Sequence, residues 1–212
     1  LIPYDLYVVT DIKLRNGLTH DQIAADAVAG GADIIQFRDK EMTGRELFHT
    51  ALKIREITHD AGIIFIVNDR IDIALASGAD GVHLGQDDLP LHGARRVVPE
   101  DFIIGISVGS VVEAVTAQAG GADYVAVSPV FRTGTKPDAG PGHGTALISA
   151  IRQTISIPVI GIGGICKENA REVLASGAEG IAVVSAVINS DDMINATREL
   201  KSVITHYKQT GQ

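Results

Sequence analysis

A three-residue phrase recurs four times along this 212-residue chain, and an apolar run follows it each time. Gly31-Ala32-Asp33 precedes Ile34-Ile35, and Gly78-Ala79-Asp80 precedes Gly81-Val82. Gly121-Ala122-Asp123 precedes Tyr124-Val125, and Gly177-Ala178-Glu179 precedes Gly180-Ile181. Helix-like patterns stand before the phrase, as in Ile23 to Val28 and Val111 to Val115. A glycine just past a helix end takes up the left-handed conformation that other residues resist, and the chain then leaves as a strand. Each repeat is therefore expected to be a helix-to-strand junction.

Four further apolar runs lie between these junctions: Leu6 to Thr10, Ile63 to Val67, Phe102 to Ile106 and Pro158 to Ile162. They are continuously apolar and rich in β-branched residues, as strands buried on both faces of a parallel sheet should be. Helix-like segments separate the strands, and three of them open with capping-box pairs: Thr19 with Gln22, Thr43 with Glu46, Ser110 with Glu113. Eight alternating units without a linker or a break in composition predict an α/β fold, a single (β/α)8 TIM barrel over residues 1–212. A doubly wound open sheet is the alternative, and the fourfold regularity favours closure. Aromatic residues make up only 4% of the chain against 23 glycines, a balance that suits close helix–strand packing better than a β-sandwich.

The net charge of −8, with no basic patch, argues against nucleic acid or an anionic membrane as the main partner. Any cationic site must be local. No leader-like segment and no run long enough to span a bilayer is seen, so a cytoplasmic location is expected. Cys166 is the single cysteine, which excludes an intramolecular disulfide and a cysteine-based zinc site; it reads as an unreactive small side chain. A homo-oligomer is compatible with the sequence, which does not decide it.

In a barrel of this kind the residues at the C-terminal ends of the strands share one mouth, however far apart they lie in sequence. Thr10-Asp11 reads as a helix cap or a wall of the site, with the structural reading favoured. Gln36, Arg38 and Lys40 alternate onto the interior side, where two cations call for an anionic ligand or for an acidic partner, Asp39 or a residue on another strand. Asn68-Asp69 ends the third strand and Asp88 follows the fourth. Paired carboxylates beside Arg38, Lys40 and Lys136 suit Mg2+ held between the protein and a phosphorylated substrate. His83 reads as a satisfied core histidine, Asp87 as a cap or solvated neighbour, and Ser107 as a hydrogen-bond donor.

The sixth strand leads into Ser128-Pro129-Val130-Phe131-Arg132-Thr133-Gly134-Thr135-Lys136. Thr133 and Thr135 offer hydroxyl donors, Gly134 allows close backbone approach, and Lys136 is a mobile point charge, a combination fit for an anion. The Asp138 to His143 segment fits either a lid or a plain surface turn. Gly161 to Ile165 and Val183 to Ala186 close the seventh and eighth strands, where many barrels bind phosphate through backbone N–H groups. Together with Thr133, Thr135 and Lys136, they imply room for more than one phosphate.

With these residues placed, nearly the whole chain resembles the thiamine-phosphate synthase family. The matching stretches are Gln36-x-Arg38-x-Lys40, Asn68-Asp69, Gly81-Val82-His83-Leu84-Gly85-Gln86-x-Asp88, Gly105-x-Ser107, Thr133-x-Thr135-Lys136, Gly163-Gly164-Ile165 and Val184-Ser185. The resemblance implies a (β/α)8 transferase that joins a pyrimidine methyl diphosphate to a thiazole phosphate, releasing pyrophosphate. It implies that Gln36, Arg38, Lys40, Asn68, Ser107 and Lys136 hold the pyrimidine diphosphate, with Arg38, Ser107 and Lys136 acting in catalysis. It further implies that Asp69 and Asp88 bind Mg2+, and that Thr133, Thr135, Gly164, Val184 and Ser185 hold the thiazole phosphate. The chain departs from the family pattern at Gly109, where histidine is frequent, and at Ser128, where glycine is frequent.

Two other readings compete. The related thiazole tautomerase is similar in fold but uses a histidine where this chain has Pro129. A non-catalytic barrel that binds a phosphorylated ligand for regulation has little reason to keep a metal pair beside three cations.

Overall fold

Each of the eight apolar runs forms a parallel strand of one closed barrel, in a computed structural model that describes residues 4–135 and 140–211. The strands are β1 (Leu6–Val9), β2 (Ile34–Phe37), β3 (Ile64–Asn68), β4 (Gly81–Leu84), β5 (Ile103–Val108), β6 (Tyr124–Val127), β7 (Val159–Ile162) and β8 (Gly180–Val183). They pair in sequence order, and β1 closes the ring against β8 with Tyr7 opposite Ala182. Helices α1 (His20–Ala29), α2 (Gly44–Ala61), α3 (Ile71–Ser77), α4 (Leu91–Ala94), α5 (Val111–Ala119), α6 (Thr145–Arg152) and α7 (Ala170–Ala175) fill the connections. A short α8 (Ser185–Ile188) and the long α9 (Met193–Thr210) follow β8. The open-sheet alternative is excluded by closure. Among the described residues no helix is long and apolar enough to cross a membrane.

The strand period of two sorts the side chains. Leu6, Val8, Ile35, Phe37, Phe65 and Val67 join the large outer core under the helices, which present Ile23, Ala27, Ala51 and Ile54 to them. Tyr7, Val9, Ile34, Ile66, Tyr124 and Ile160 belong to a smaller cluster inside the barrel. Gly105 makes room there: a Cβ at that position would lie 2.0 Å from Tyr124 Cζ, so a glycine is required for the tyrosine to cross the interior.

The helix starts follow the sequence. Thr19 and Thr43 form reciprocal capping boxes with Gln22 and Glu46. At α5 only half of the expected box forms, because Ser110 accepts from the Glu113 N–H while the Glu113 carboxylate accepts from Gly109 instead.

The repeated phrase is a helix-to-strand junction in all four places. Gly31, Gly78, Gly121 and Gly177 all have positive φ, between 69° and 102°. The acidic residue that follows has a second task. Asp33 accepts the Leu6 N–H at 2.9 Å, Asp80 the Phe65 N–H at 2.7 Å, Asp123 the Ile104 N–H at 2.7 Å and Glu179 the Val159 N–H at 2.8 Å. In return the backbone N–H of each acidic residue donates to the carbonyl of that same strand residue. A cation closes every clasp: Lys201 on Asp33, Arg55 on Asp80, Arg95 on Asp123 and Arg152 on Glu179. Each even-numbered strand is thus tied at its start to the odd-numbered strand before it, and the barrel is built of four such quarters.

Candidate active site

The opposite end of the barrel opens into a cavity holding about 1070 Å3 of space, its open mouth included. Of the residues expected there, Gln36, Arg38, Lys40, Asn68, Asp69, Asp88, Ser107, Thr133, Thr135, Gly164, Val184 and Ser185 all line it. Lys136 lies outside the described residues. Strand ends and the loops after them supply this set, as the parallel topology requires.

Asp69 is the most constrained group of the mouth. It is the one non-glycine residue with positive φ among those described, at 60°, and its N–H continues the β3–β4 ladder to the His83 carbonyl. Burial, and then the Asp88 carboxyl within hydrogen-bonding reach, raise its pKa to about 6, against the opposing pull of Lys40. Lys40 Nζ stands 3.5 Å from Asp69 Oδ2. Asp88 is held from below, accepting the Gly85 N–H at 2.7 Å. Two carboxyls crowded so that one is driven towards its neutral form make a place where a divalent cation gains from both. Among the described residues no set of three histidine, cysteine or carboxylate groups could hold a metal, and the Asp69–Asp88 pair suits a cation content with two carboxylates. Mg2+ is such a cation, since it commonly takes one or two carboxylates and completes its shell with water and substrate phosphate.

The two cations after β2 have protein partners as well as a cavity. Arg38 Nη1 donates to Asp11 Oδ2 at 3.3 Å, and Asp11 also caps the short 3-10 turn Ile12–Leu14 through the Lys13 N–H. Asp39 is drawn away from Arg38 to His20 Nε2 at 3.1 Å and to the N–H groups of Glu41 and Met42. His20 is buried and also meets Thr10 Oγ1 at 2.7 Å, and burial pushes its pKa down. Of the two acidic partners expected for these cations, Asp39 or a residue from another strand, Arg38 takes the second, Asp11 just after β1.

Beneath the mouth lies a polar floor. Gln36 Nε2 donates to Tyr7 Oη at 2.7 Å, Tyr7 Oη meets Tyr124 Oη at 2.9 Å, and Tyr124 Oη meets His83 Nδ1 at 2.9 Å. His83 Nε2 meets Ser107 Oγ at 2.8 Å. His83 is indeed a satisfied histidine, yet it also lines the cavity. Tyr7 and Tyr124 escape a reading by strand ends because each sits inside an apolar run. Their signal is an aromatic hydroxyl on the inward face of a strand, where a buried O–H needs a partner.

The loops after β6 and β7 are laced together. Val130 and Phe131 donate to the carbonyls of Ile162 and Gly163 at 2.8 and 3.0 Å. Gly163 and Gly164 have positive φ, and a Cβ on Gly164 would lie 2.7 Å from the Arg132 carbonyl oxygen. These glycines are thus required first by the contact between loops. Thr133 Oγ1 accepts the Thr135 N–H at 3.2 Å. Of the segment from Asp138 to His143, residues 138 and 139 lie outside the described set. His143 is tied back through its N–H to the Pro129 carbonyl at 2.9 Å. The departure at Gly109 has a counterpart here, since a Cβ on Gly109 would lie 3.1 Å from His143 Nε2. Asp87 is exposed, as a solvated neighbour should be.

The family model described as thiamine monophosphate synthase matches residues 6–187. A thiamine-phosphate synthase of Methanoculleus marisnigri is 56% identical over 209 residues, covering 99% of both chains. One from Methanocella arvoryzae is 54% identical over 209 residues, again covering 99% of both. Among solved structures, thiamine phosphate pyrophosphorylase from Pyrococcus furiosus superposes with a TM-score of 0.89 at 40% identity, covering 97% of each chain. With the match extending along almost the entire barrel, the chain belongs to the thiamine monophosphate synthase family and is a transferase.

Proposed function

We propose that the cavity condenses 4-amino-2-methyl-5-(diphosphooxymethyl)pyrimidine with thiazole phosphate to give thiamine phosphate and pyrophosphate. The observation that carries this reading is the convergence of Arg38, Lys40, Asn68, Asp69, Asp88 and Ser107 on one cavity, with Thr133, Thr135, Gly164, Val184 and Ser185 across it. One side holds cations and a carboxyl pair for a diphosphate, and the other offers hydroxyls and glycine-rich backbone for a single phosphate.

The 4-amino group of the pyrimidine feeds electrons into the ring, so the methylene C–O bond breaks with its electron pair leaving on pyrophosphate. The thiazole nitrogen then gives its lone pair to the methylene carbon, and a C–N bond replaces the C–O bond. No protein nucleophile is consumed. The work of the protein is to bind the departing charge in a preorganised site, a contribution that dominates many enzymes. Arg38, fixed by Asp11, and Lys40 line the cavity on the side of that charge, and the family resemblance assigns Lys136 to the same diphosphate. Gln36, Asn68 and Ser107 hold the pyrimidine, so that the ring and the thiazole meet in a reactive orientation. Asp69 and Asp88 would hold Mg2+, which when bound adds positive charge beside the diphosphate oxygens.

Mixing the protein with both substrates and Mg2+ should yield thiamine phosphate and pyrophosphate in equal amounts, and EDTA should abolish both. Equal yields with and without EDTA would remove the metal from the reading. Absence of product with both substrates bound would remove the reaction.

A further inference from the structure

Four hydrogen bonds cross the barrel under the cavity and end on two residues that the proposed function places against the pyrimidine. The five side chains, Gln36, Tyr7, Tyr124, His83 and Ser107, come from five different strands. Apolar side chains would fill this interior at lower risk, because a buried polar chain is costly wherever one link is unmade. Its presence asks for a role.

The protons give the chain a direction. Burial pushes the pKa of both tyrosines well above the usual range, so each keeps a proton to donate. Tyr7 accepts from Gln36, so its own proton goes to Tyr124, and the Tyr124 proton goes to His83 Nδ1. His83 then carries its proton on Nε2 and donates to Ser107, whose hydroxyl proton is left for the cavity. At the other end the Gln36 amide nitrogen is used by Tyr7, and its carbonyl oxygen is left for the cavity. Reversing the order would require the Gln36 amide to turn over and Ser107 to donate to His83. The two ends are therefore coupled: Gln36 offers an acceptor when Ser107 offers a donor.

We propose that Tyr7, Tyr124 and His83 are positioning residues that fix the hydrogen-bond polarity of Gln36 and Ser107. The site thereby accepts an aminopyrimidine edge, with a donor amino group beside an acceptor ring nitrogen, and rejects the 4-oxo edge, in which both roles are reversed. This rests on the reading that the cavity binds the pyrimidine diphosphate. A site committed to one donor–acceptor order leaves buried groups unpaired against the other, which is the strongest form of discrimination available to binding.

The test compares the Kd of the aminopyrimidine diphosphate and of its 4-oxo counterpart, without the thiazole, for the unaltered protein, Tyr7→Phe and Tyr124→Phe. The unaltered protein should prefer the amino compound by roughly 100-fold or more. Each variant should shrink that ratio by about tenfold, because the two ends are no longer coupled. A merely structural role would weaken both compounds alike, and an unchanged ratio would overturn the proposal. Nitrogen-15 NMR of His83 supplies a readout that does not depend on the variants folding: the Nε2–H tautomer is expected in the unaltered protein, and the Nδ1–H tautomer would overturn the proposal. If neither compound binds, the pyrimidine reading fails, while the tautomer still decides whether the chain runs as described.

Discussion

At the N-terminal end of the barrel Asp33, Asp80, Asp123 and Glu179 each meet both a backbone N–H and a cation, whereas at the C-terminal end Asp69 and Asp88 crowd each other beside few partners, Lys40 on Asp69 and the Gly85 N–H on Asp88. The same kind of side chain is satisfied in one place and crowded in the other. The satisfied ring closes four strand pairs and has no use for a ligand. The crowded pair, with Asp69 in left-handed backbone, raises the free energy of the empty protein and lowers it again when positive charge arrives. On the proposed function, stability and activity are thus divided between the two ends.

The largest effect should come from the mouth. Asp69→Asn keeps a side chain that tolerates left-handed backbone, yet turnover should fall at least about a hundredfold, or about 2.7 kcal/mol of transition-state stabilisation. Lys136→Ala should cost a similar factor, because the family resemblance assigns this cation to the departing diphosphate. Steady-state kinetics with both substrates checks each, and near-normal turnover in either variant would count against the mechanism.

At the other end Asp33→Ala leaves the Leu6 N–H and Lys201 without their shared carboxylate. It should lower the unfolding free energy by about 2 kcal/mol, with kcat within about twofold of normal. Urea unfolding and the same kinetic assay would show whether the clasp is structural only. The acid side should be gentler. Burial holds His20 neutral below its usual range, so the unfolded chain takes up the proton first as pH falls. The stability His20 contributes is present above about pH 6.5 and is lost as the pH drops further. Urea unfolding at pH 7.5 and 5.5 should show that loss, and His20→Gln should flatten it; an unchanged slope would show that His20 is not its source. The smallest effect should be that of Arg152→Met, which removes a largely solvated partner of Glu179 and should cost less than about 1 kcal/mol, read from the same unfolding curves.

Much of this division was legible in the chain. The repeat marked four of the strand starts because its glycine has a local meaning, a left-handed turn after a helix. The role of its acidic residue was not legible, because the N–H that Asp33 accepts belongs to Leu6, on the preceding strand. Strand ends gathered the described mouth residues into one cavity, since parallel topology alone brings them together. What topology does not disclose is pairing: Arg38 chose Asp11 over the adjacent Asp39, which His20 had engaged. The polar floor was hidden for a related reason. Tyr7 and Tyr124 stand in apolar runs that look like ordinary core, and only their meeting across the barrel turns two aromatic residues into a hydrogen-bonded chain.

The most direct measurement is to follow both turnover and urea unfolding of Asp69→Asn, without metal and with Mg2+. The account predicts that turnover falls at least about a hundredfold while the metal-free variant is more stable than the unaltered protein, by about 1 kcal/mol or more, because a crowded carboxyl has been removed. It also predicts that added Mg2+ stabilises the unaltered protein and not the variant. A variant that loses activity and stability together would contradict the division between the two ends and mark Asp69 as a structural residue.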